Sequence, residues 1–277
     1  MICFMNLESI AHELRIDILR MFYQSKSGHL APALSCVDIF ATLYFGNIIS
    51  WEKRFQADRD RVILSKGHAC AALYAVLARA GFFPREELLT FYQANSRLGG
   101  HPSVALPGVE TPTGALGHGA CFGTGTALAA KLDHQDYRTY VIMGDGESQE
   151  GSVWEAAMFA ANHHLDNLVL ILDHNGLQAS SFVEDIAPIE SVEEKWKAFG
   201  WDVASVDGHD FKQLQSVLSR ERNTQGKPLM VIARTIKGKG LSIAENNPAW
   251  HSRAPKEMEW QDACQDLGIT MEDLQRI

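Results

Sequence analysis

Short runs of uninterrupted apolar residues recur along the chain, separated by longer segments in which apolar positions return every three or four residues. The runs at 62–64, 140–143, 168–172, 203–206 and 229–233 have the length and unbroken hydrophobicity of strands buried on both faces, as in a parallel sheet. The 3.6-residue period between them predicts helices over 7–23, 36–45, an alanine-rich stretch ending near Gly81, 84–95 with Pro84 in the first turn, 117–132, 151–164, a stretch ending at Phe199, and 210–222. Strands alternating with helices of this length imply an α/β fold: a doubly wound, mostly parallel sheet flanked by helices. Residues 96–114 are rich in Gly and Pro and read as irregular, and a loop that long is more often functional than idle. Residues 180–190 read as another loop, and Gly238 and Gly240 open a segment, read as mobile, that runs to His251. No division into domains is evident, so residues 1–277 are expected to form one.

Composition narrows the partners. With 277 residues, 46% of them hydrophobic, the chain can bury one large α/β core or two smaller ones. A formal charge of −9 without a basic run argues against nucleic acid or an anionic membrane. No apolar stretch approaches the roughly 20 residues that span a bilayer, and the apolar start, Met1 to Met5, reaches Glu8 too soon for a secretory signal. A cytoplasmic location is expected. The cysteines at 3, 36, 70, 121 and 264 have neither metal-ligand spacing nor an even count, so they read as reduced packing thiols.

The first chemical clue is Gly144-Asp145-Gly146, at the end of one strand, with Asn175 just past the end of the next. A β-α-β unit brings both to the carboxyl edge of the sheet, where ligands bind. Asp145 would supply one hard oxygen, Asn175 a second and a backbone carbonyl near Leu177 a third, leaving places for phosphate oxygens and water, as Mg²⁺ prefers. The same tripeptide also makes an ordinary tight turn. A second clue is that five of eleven histidines, His29, His68, His101, His118 and His209, directly follow glycine. This suggests side chains displayed from tight turns that a ligand can approach, although histidine and glycine both favour loops. His12, His134, His163, His164 and His174 read as surface or packed residues.

The segment from Gly144-Asp145-Gly146-Glu147-Ser148 through Trp154-Glu155 to Leu172-Asp173-His174-Asn175-Gly176-Leu177 resembles the thiamine diphosphate motif of the transketolase family. The resemblance extends over Ser27-Gly28-His29, Ser65-Lys66-Gly67-His68, Gly99-Gly100-His101-Pro102, Thr113-Gly114-Ala115-Leu116-Gly117-His118, and Lys237-Gly238-Lys239-Gly240 with Asn246-Asn247-Pro248 and Trp250-His251. It is to the amino-terminal, diphosphate-binding half of such enzymes, and it implies thiamine diphosphate with Mg²⁺ or another divalent cation.

By this resemblance Asp145, Asn175 and Leu177 are the metal ligands. His68 and His251 contact the diphosphate, and Gly146 offers its N–H to a phosphate oxygen at a helix start. Gly114 and Leu116 flank the aminopyrimidine. His29 and His101 meet the sugar hydroxyls or the reacting carbonyl, and His251 is counted with them as catalytic. Glu150 and Glu155 match interface carboxylates. His118 stands where glutamine is common, as a substrate-site feature or a hydrogen-bonding substitute, and Asp207-Gly208-His209-Asp210 has no role beyond a turn and helix cap.

The resemblance further implies transfer of a two-carbon ketol unit from a ketose to an aldose phosphate, with the carbanion chemistry supplied by the cofactor. The activating glutamate and the arginines that grip the substrate phosphate belong to a pyrimidine-binding domain. That domain and the carboxyl-terminal one are expected on a separately encoded partner subunit, two copies of each chain assembling. Two departures leave the donor sugar open: Leu30-Ala31-Pro32 after His29, and Ser252-Arg253 after His251. They admit a specialised sugar-catabolic enzyme acting on apulose phosphate or sulfofructose. Related synthases of the deoxyxylulose-phosphate or dihydroxyacetone type, and a non-catalytic regulatory half, are the alternatives.

Overall fold

The computed structural model of the chain describes residues 6–179, 181–221 and 225–276. Its centre is a sheet of five parallel strands, β1 (Arg61–Leu64), β2 (Thr139–Gly144), β3 (Leu168–His174), β6 (Asp202–Asp207) and β7 (Leu229–Arg234), in the order β1-β2-β3-β7-β6. A small antiparallel hairpin, β4 (Leu177–Gln178) with β5 (Ser181–Phe182), follows β3. Because successive side chains of a strand point to opposite faces, each apolar run feeds two cores. Val62, Tyr140, Ile142, Ile171 and Val231 face one, and Ile63, Val141, Met143, Leu170 and Ile232 face the other. That two-sided burial is why the runs show no polar alternation.

The first core is covered by α1 (Leu7–Ser25), α2 (Leu30–Ser35), α3 (Val37–Phe45), α4 (Cys70–Arg79), α9 (Phe211–Leu218) and α10 (Glu259–Asp266). The second is covered by α5 (His118–Leu132), α6 (Gly151–Asn162), α7 (Val183–Ile186) and α8 (Val192–Ala198). Asn6 caps α1 by accepting from the Ser9 N–H at 3.2 Å, a contact worth about 1 kcal/mol. The doubly wound parallel architecture expected from the apolar pattern is present.

Five local readings differ. The expected 180–190 loop holds β5 and the short helix α7, with residue 180 outside the described residues. Helix α2 had no periodic signal because all six of its residues are buried, so no polar face marks its period. Residues 84–95 form only a 3₁₀ stretch, Arg85–Thr90: Tyr92 adopts φ 61° and donates its N–H to the Leu98 carbonyl, closing a loop where a helix would continue. Helix α9 ends at Leu218, and residue 222, the last of the expected 210–222 helix, lies outside the described residues, as does Cys3. The segment read as mobile is a series of packed turns, with Leu241, Ala244 and Trp250 buried. Among the described residues no helix is long and apolar enough to cross a membrane, and Cys36, Cys70, Cys121 and Cys264 are free thiols.

Candidate active site

Parallel strands deliver their loops to one edge, and here the loops after β1, β2, β3 and β7 converge with the start of α2 around a cavity of about 470 Å³. All ten residues expected to hold metal, cofactor or substrate line it: His29, His68, His101, Gly114, Leu116, Asp145, Gly146, Asn175, Leu177 and His251. Several glycines are there because the loops touch backbone to backbone. A Cβ on Gly67 would come within 2.7 Å of the Thr113 backbone, and Thr113 in turn donates its hydroxyl to the Leu64 carbonyl at 2.7 Å. This contact holds the 111–116 loop, and with it Gly114 and Leu116, over the end of β1. A Cβ on Gly114 would lie 3.1 Å from the His101 ring.

One side of the cavity is basic. The rings of His29, His68 and His251 form a near-equilateral triangle, with centroids 5.3 Å, 5.3 Å and 5.4 Å apart. His101 stands 6.4 Å from His29. Burial, reinforced by Lys66 and the neighbouring imidazoles, pushes His68 down to about 2. Burial and Lys237 push His251 down to about 3. His29 is lowered by burial and then by His101 and Lys237. All three are therefore neutral at pH 7, each with one N–H to give, and His29 Nδ1 is buried without a partner. Lys237 is 2% exposed, and its amine lies 3.0 Å from His251 Nδ1. Burial and the charge of Lys66 push it down to about 8. Lys66 itself is held above its usual range: burial opposes its charge, but the buried carboxylate of Asp173, with which it pairs, prevails. Ser35 and Thr235 also donate hydroxyls to Asp173.

The facing side is acidic. Asp145 is buried, its Oδ2 accepting the N–H groups of Asn175 and Gly176 at 2.9 Å and 2.7 Å, with Oδ1 2.5 Å from His174 Nδ1. A carboxylate offers about four lone-pair sites, so one remains for a cation. The Asn175 amide oxygen accepts the Leu177 N–H at 3.1 Å, which orients a second hard oxygen. Among the described residues no group of three His, Cys, Asp or Glu side chains is placed to hold a metal. A cation here would therefore rest on the mixed oxygen set of Asp145, Asn175 and the Leu177 carbonyl, which suits Mg²⁺. Beside them Glu147 is buried, and burial raises its carboxyl even though Ser65 and the Gly117 and Gly144 N–H groups donate to it. A crowded set of basic groups in the same cavity as hard oxygens fits a magnesium diphosphate: its charge would relieve the repulsion among the groups now held neutral or strained.

Other readings fall differently. His118 lies outside this cavity, exposed at the start of α5, with Nδ1 3.3 Å from the Ala115 carbonyl. Gly146 opens a 3₁₀ turn, Gly146–Gln149, while α6 begins only at Gly151, so any dipole at Gly146 is that of a single turn. His174 is not a bystander, since its bond to Asp145 raises its imidazole above the ordinary range despite burial. Of the two departures, Pro32 lines the cavity and its carbonyl accepts from Lys66 at 2.9 Å. Arg253 instead lies over the Trp250 ring and pairs with Glu259. Sequence reasoning missed Lys66, Lys237 and Glu147 as cavity residues. Their signal was their place inside the Ser-Lys-Gly-His, Lys-Gly-Lys-Gly and Gly-Asp-Gly-Glu blocks, where only neighbours were given roles.

Comparison with known proteins agrees in one direction. Residues 7–275 match the family described as the transketolase thiamine diphosphate binding domain. The chain is 40% identical over 272 residues to an apulose-4-phosphate transketolase subunit of Phocaeicola vulgatus, covering 98% of this chain and 97% of the relative. It is 41% identical over 242 residues to a 6-deoxy-6-sulfo-D-fructose transketolase subunit of a Clostridium species, covering 87% and 88%. The crystal structure of transketolase from Campylobacter jejuni superposes with a TM-score of 0.88 at 32% identity, covering 96% of this chain and 43% of that one.

Proposed function

Since the chain belongs to the transketolase family through its thiamine diphosphate-binding domain, we propose that it is the amino-terminal subunit of a split transketolase. It carries the diphosphate half of each active site. The observation that supports this most directly is that three neutral imidazoles and two buried lysines line the same cavity as the oxygen set of Asp145, Asn175 and Leu177.

In this reading Asp145, Asn175 and the Leu177 carbonyl hold Mg²⁺. His68, His251, Lys237 and the Gly146 N–H take the diphosphate oxygens, and Gly114 and Leu116 bound the ring that follows. Thiamine diphosphate, when bound, supplies the nucleophilic carbon that carries a two-carbon ketol unit from a ketose donor to an aldose phosphate. His29 and His101 line the same cavity, where each can give an N–H to a donor hydroxyl or carbonyl oxygen. Pro32 lines the cavity with His29. The relatives named for apulose 4-phosphate and for 6-deoxy-6-sulfo-D-fructose support a specialised sugar donor.

The chain spans less than half of the solved transketolase chain it matches, and the pyrimidine-binding domain belongs, on this proposal, to a partner subunit. Phe122 on α5 and Met158 and Phe159 on α6 are 51%, 55% and 43% exposed. Exposed Glu155 lies on α6, with exposed Glu150 just before it. Apolar surface of this kind calls for cover, and we assign it to an assembly of two copies of each chain, working in the cytoplasm. The test is a panel of ketose donors, including pentulose phosphates, apulose 4-phosphate and 6-deoxy-6-sulfo-D-fructose, assayed with the chain alone and with the partner. Ketol transfer is expected only from the pair. Full activity from this chain by itself would refute the split site.

A further inference from the structure

Behind the cavity lies a cluster of charged groups that do not touch it. Arg15 on α1 forks its guanidinium onto Asp38 of α3, Nη1 to Oδ1 at 2.9 Å and Nη2 to Oδ2 at 2.7 Å, and both residues are buried. His209, in the turn between β6 and α9, places Nδ1 2.6 Å from the same Asp38 Oδ2. Its Nε2 accepts the Ile236 N–H at 2.8 Å. These neighbours fix the tautomer. A carboxylate bound by Arg15 only accepts and a backbone N–H only donates, so His209 is neutral with its hydrogen on Nδ1. Arg15 meanwhile gives its Nε hydrogen to the Lys239 carbonyl at 3.0 Å.

The two grips fall on either side of Lys237. One takes the N–H of Ile236, the residue before it, and the other takes the carbonyl of Lys239, two residues after it. Gly238 is tied in by its N–H to the Ala31 carbonyl at 3.1 Å, and the Lys237 carbonyl accepts from the Asn246 N–H at 2.9 Å. The chain passes so close to Arg15 that a Cβ on Gly240, which has φ +96°, would meet Arg15 Cδ at 2.9 Å. A buried cation facing an anion gains from being fixed, since any freedom must be given up again on binding.

Resting on the diphosphate reading of the cavity, we propose that Arg15, Asp38 and His209 form a clamp that positions Lys237 toward the cofactor. They are positioning residues and act on the ligand only through that lysine. The Asp207-Gly208-His209-Asp210 turn then has a purpose beyond capping α9: it brings an imidazole to the Ile236 N–H, one residue ahead of Lys237.

The clamp separates into two bonds that different variants keep. His209→Asn can still donate to Asp38 from the Nδ1 position but has no atom to accept from Ile236. His209→Gln reaches the Nε2 position and can accept from Ile236 but loses Asp38. With the full chain assembled with its partner, thiamine diphosphate affinity in Mg²⁺ is measured calorimetrically, and melting without cofactor serves as the folding control. We expect H209N to raise Kd roughly fivefold to thirtyfold and H209Q to stay within about twofold of wild type. In a K237M background H209N should add less than about twofold, because the residue it positions is gone.

Arg15→Lys keeps a charge for Asp38 while losing the Nε bond to Lys239. It is the second variant should H209N fail to assemble, with the same dependence on Lys237 expected. Wild-type affinity in both H209N and R15K, or full additivity with K237M, overturns the clamp. If K237M itself binds the cofactor as wild type does, the assignment of Lys237 to the diphosphate fails first and takes the clamp with it.

Discussion

Lys237→Met should make the free chain more stable and the cofactor complex weaker. The amine is buried among other basic groups and is pushed from 10.5 to about 8. That interval corresponds to about 3 kcal/mol by which the free fold disfavours the charged form. At pH 7 the amine is still mostly protonated, so the cost is present in the working protein. The sign follows from proton counting. The unfolded chain holds the Lys237 proton up to about pH 10.5 and the folded chain only to about 8, so the penalty is complete below pH 8 and fades as pH rises toward 10.5. Methionine has a similar shape and no charge, so replacing a strained buried cation with it removes the penalty and keeps most of the packing. The expected gain is about 1–3 kcal/mol, or roughly 2–6 °C in Tm at pH 7, shrinking above pH 8. The same substitution removes a cation that an arriving diphosphate would meet, so thiamine diphosphate Kd should rise roughly 30-fold or more. In the wild type, affinity should fall toward tenfold per pH unit above about pH 8 as Lys237 deprotonates, and that slope should vanish in K237M. Calorimetric titration of the assembled protein and scanning fluorimetry of the cofactor-free chain, both from pH 7 to 9.5, read all of this. A K237M protein that melts several degrees lower, or that keeps wild-type affinity and pH slope, would show that Lys237 is a structural cation unrelated to the ligand.

Asp145→Ala should leave the fold intact but weaken Mg²⁺-dependent thiamine diphosphate binding roughly 100-fold or more; unchanged calorimetric affinity would remove Asp145 from the metal set. His29→Ala and His101→Ala should lower kcat/KM for the donor sugar with little effect on cofactor Kd, whereas His68→Ala should raise that Kd. Steady-state kinetics beside calorimetry would divide the roles, and three variants altered only in melting temperature would make these histidines packing residues. On the acid side, His68 is pushed down to about 2, chiefly by burial, so the unfolded chain takes up its proton below about pH 6.5 and the folded chain does not. The free chain should therefore lose stability as pH falls below 6.5, at up to ~1.4 kcal/mol per pH unit from this group. His68→Gln should flatten that part of a Tm-against-pH curve, and an unchanged curve would mean that other groups control acid unfolding.

The sequence by itself determined the sheet and the edge on which chemistry would gather. Runs such as Tyr140–Met143 and Leu168–Leu172 could only be strands covered on both faces, and their period of two assigned Ile142 and Val141 to opposite cores. Asp145 and Asn175 follow adjacent parallel strands, so sequence position alone put them at the same edge. The glycine-preceded histidines were visible because tight backbone contact, as at Gly67 against Thr113, leaves glycine as a trace in the chain. Tertiary structure decided what depends on distances between remote segments. Nothing local told that His29, His68 and His251 would meet at about 5.3 Å where burial and nearby lysine charge hold them neutral, or that His118, equally glycine-flanked, would lie exposed outside the cavity. Helix α2 was invisible because burial on every side erases the periodic signal. Lys237 stood in the Lys-Gly-Lys-Gly block with no role of its own. Its burial, its lowered amine and the bonds of Arg15 and His209 to Lys239 and Ile236 beside it arise only in the folded chain, because desolvation and charge repulsion are set by what packs around a group, not by its neighbours in the chain.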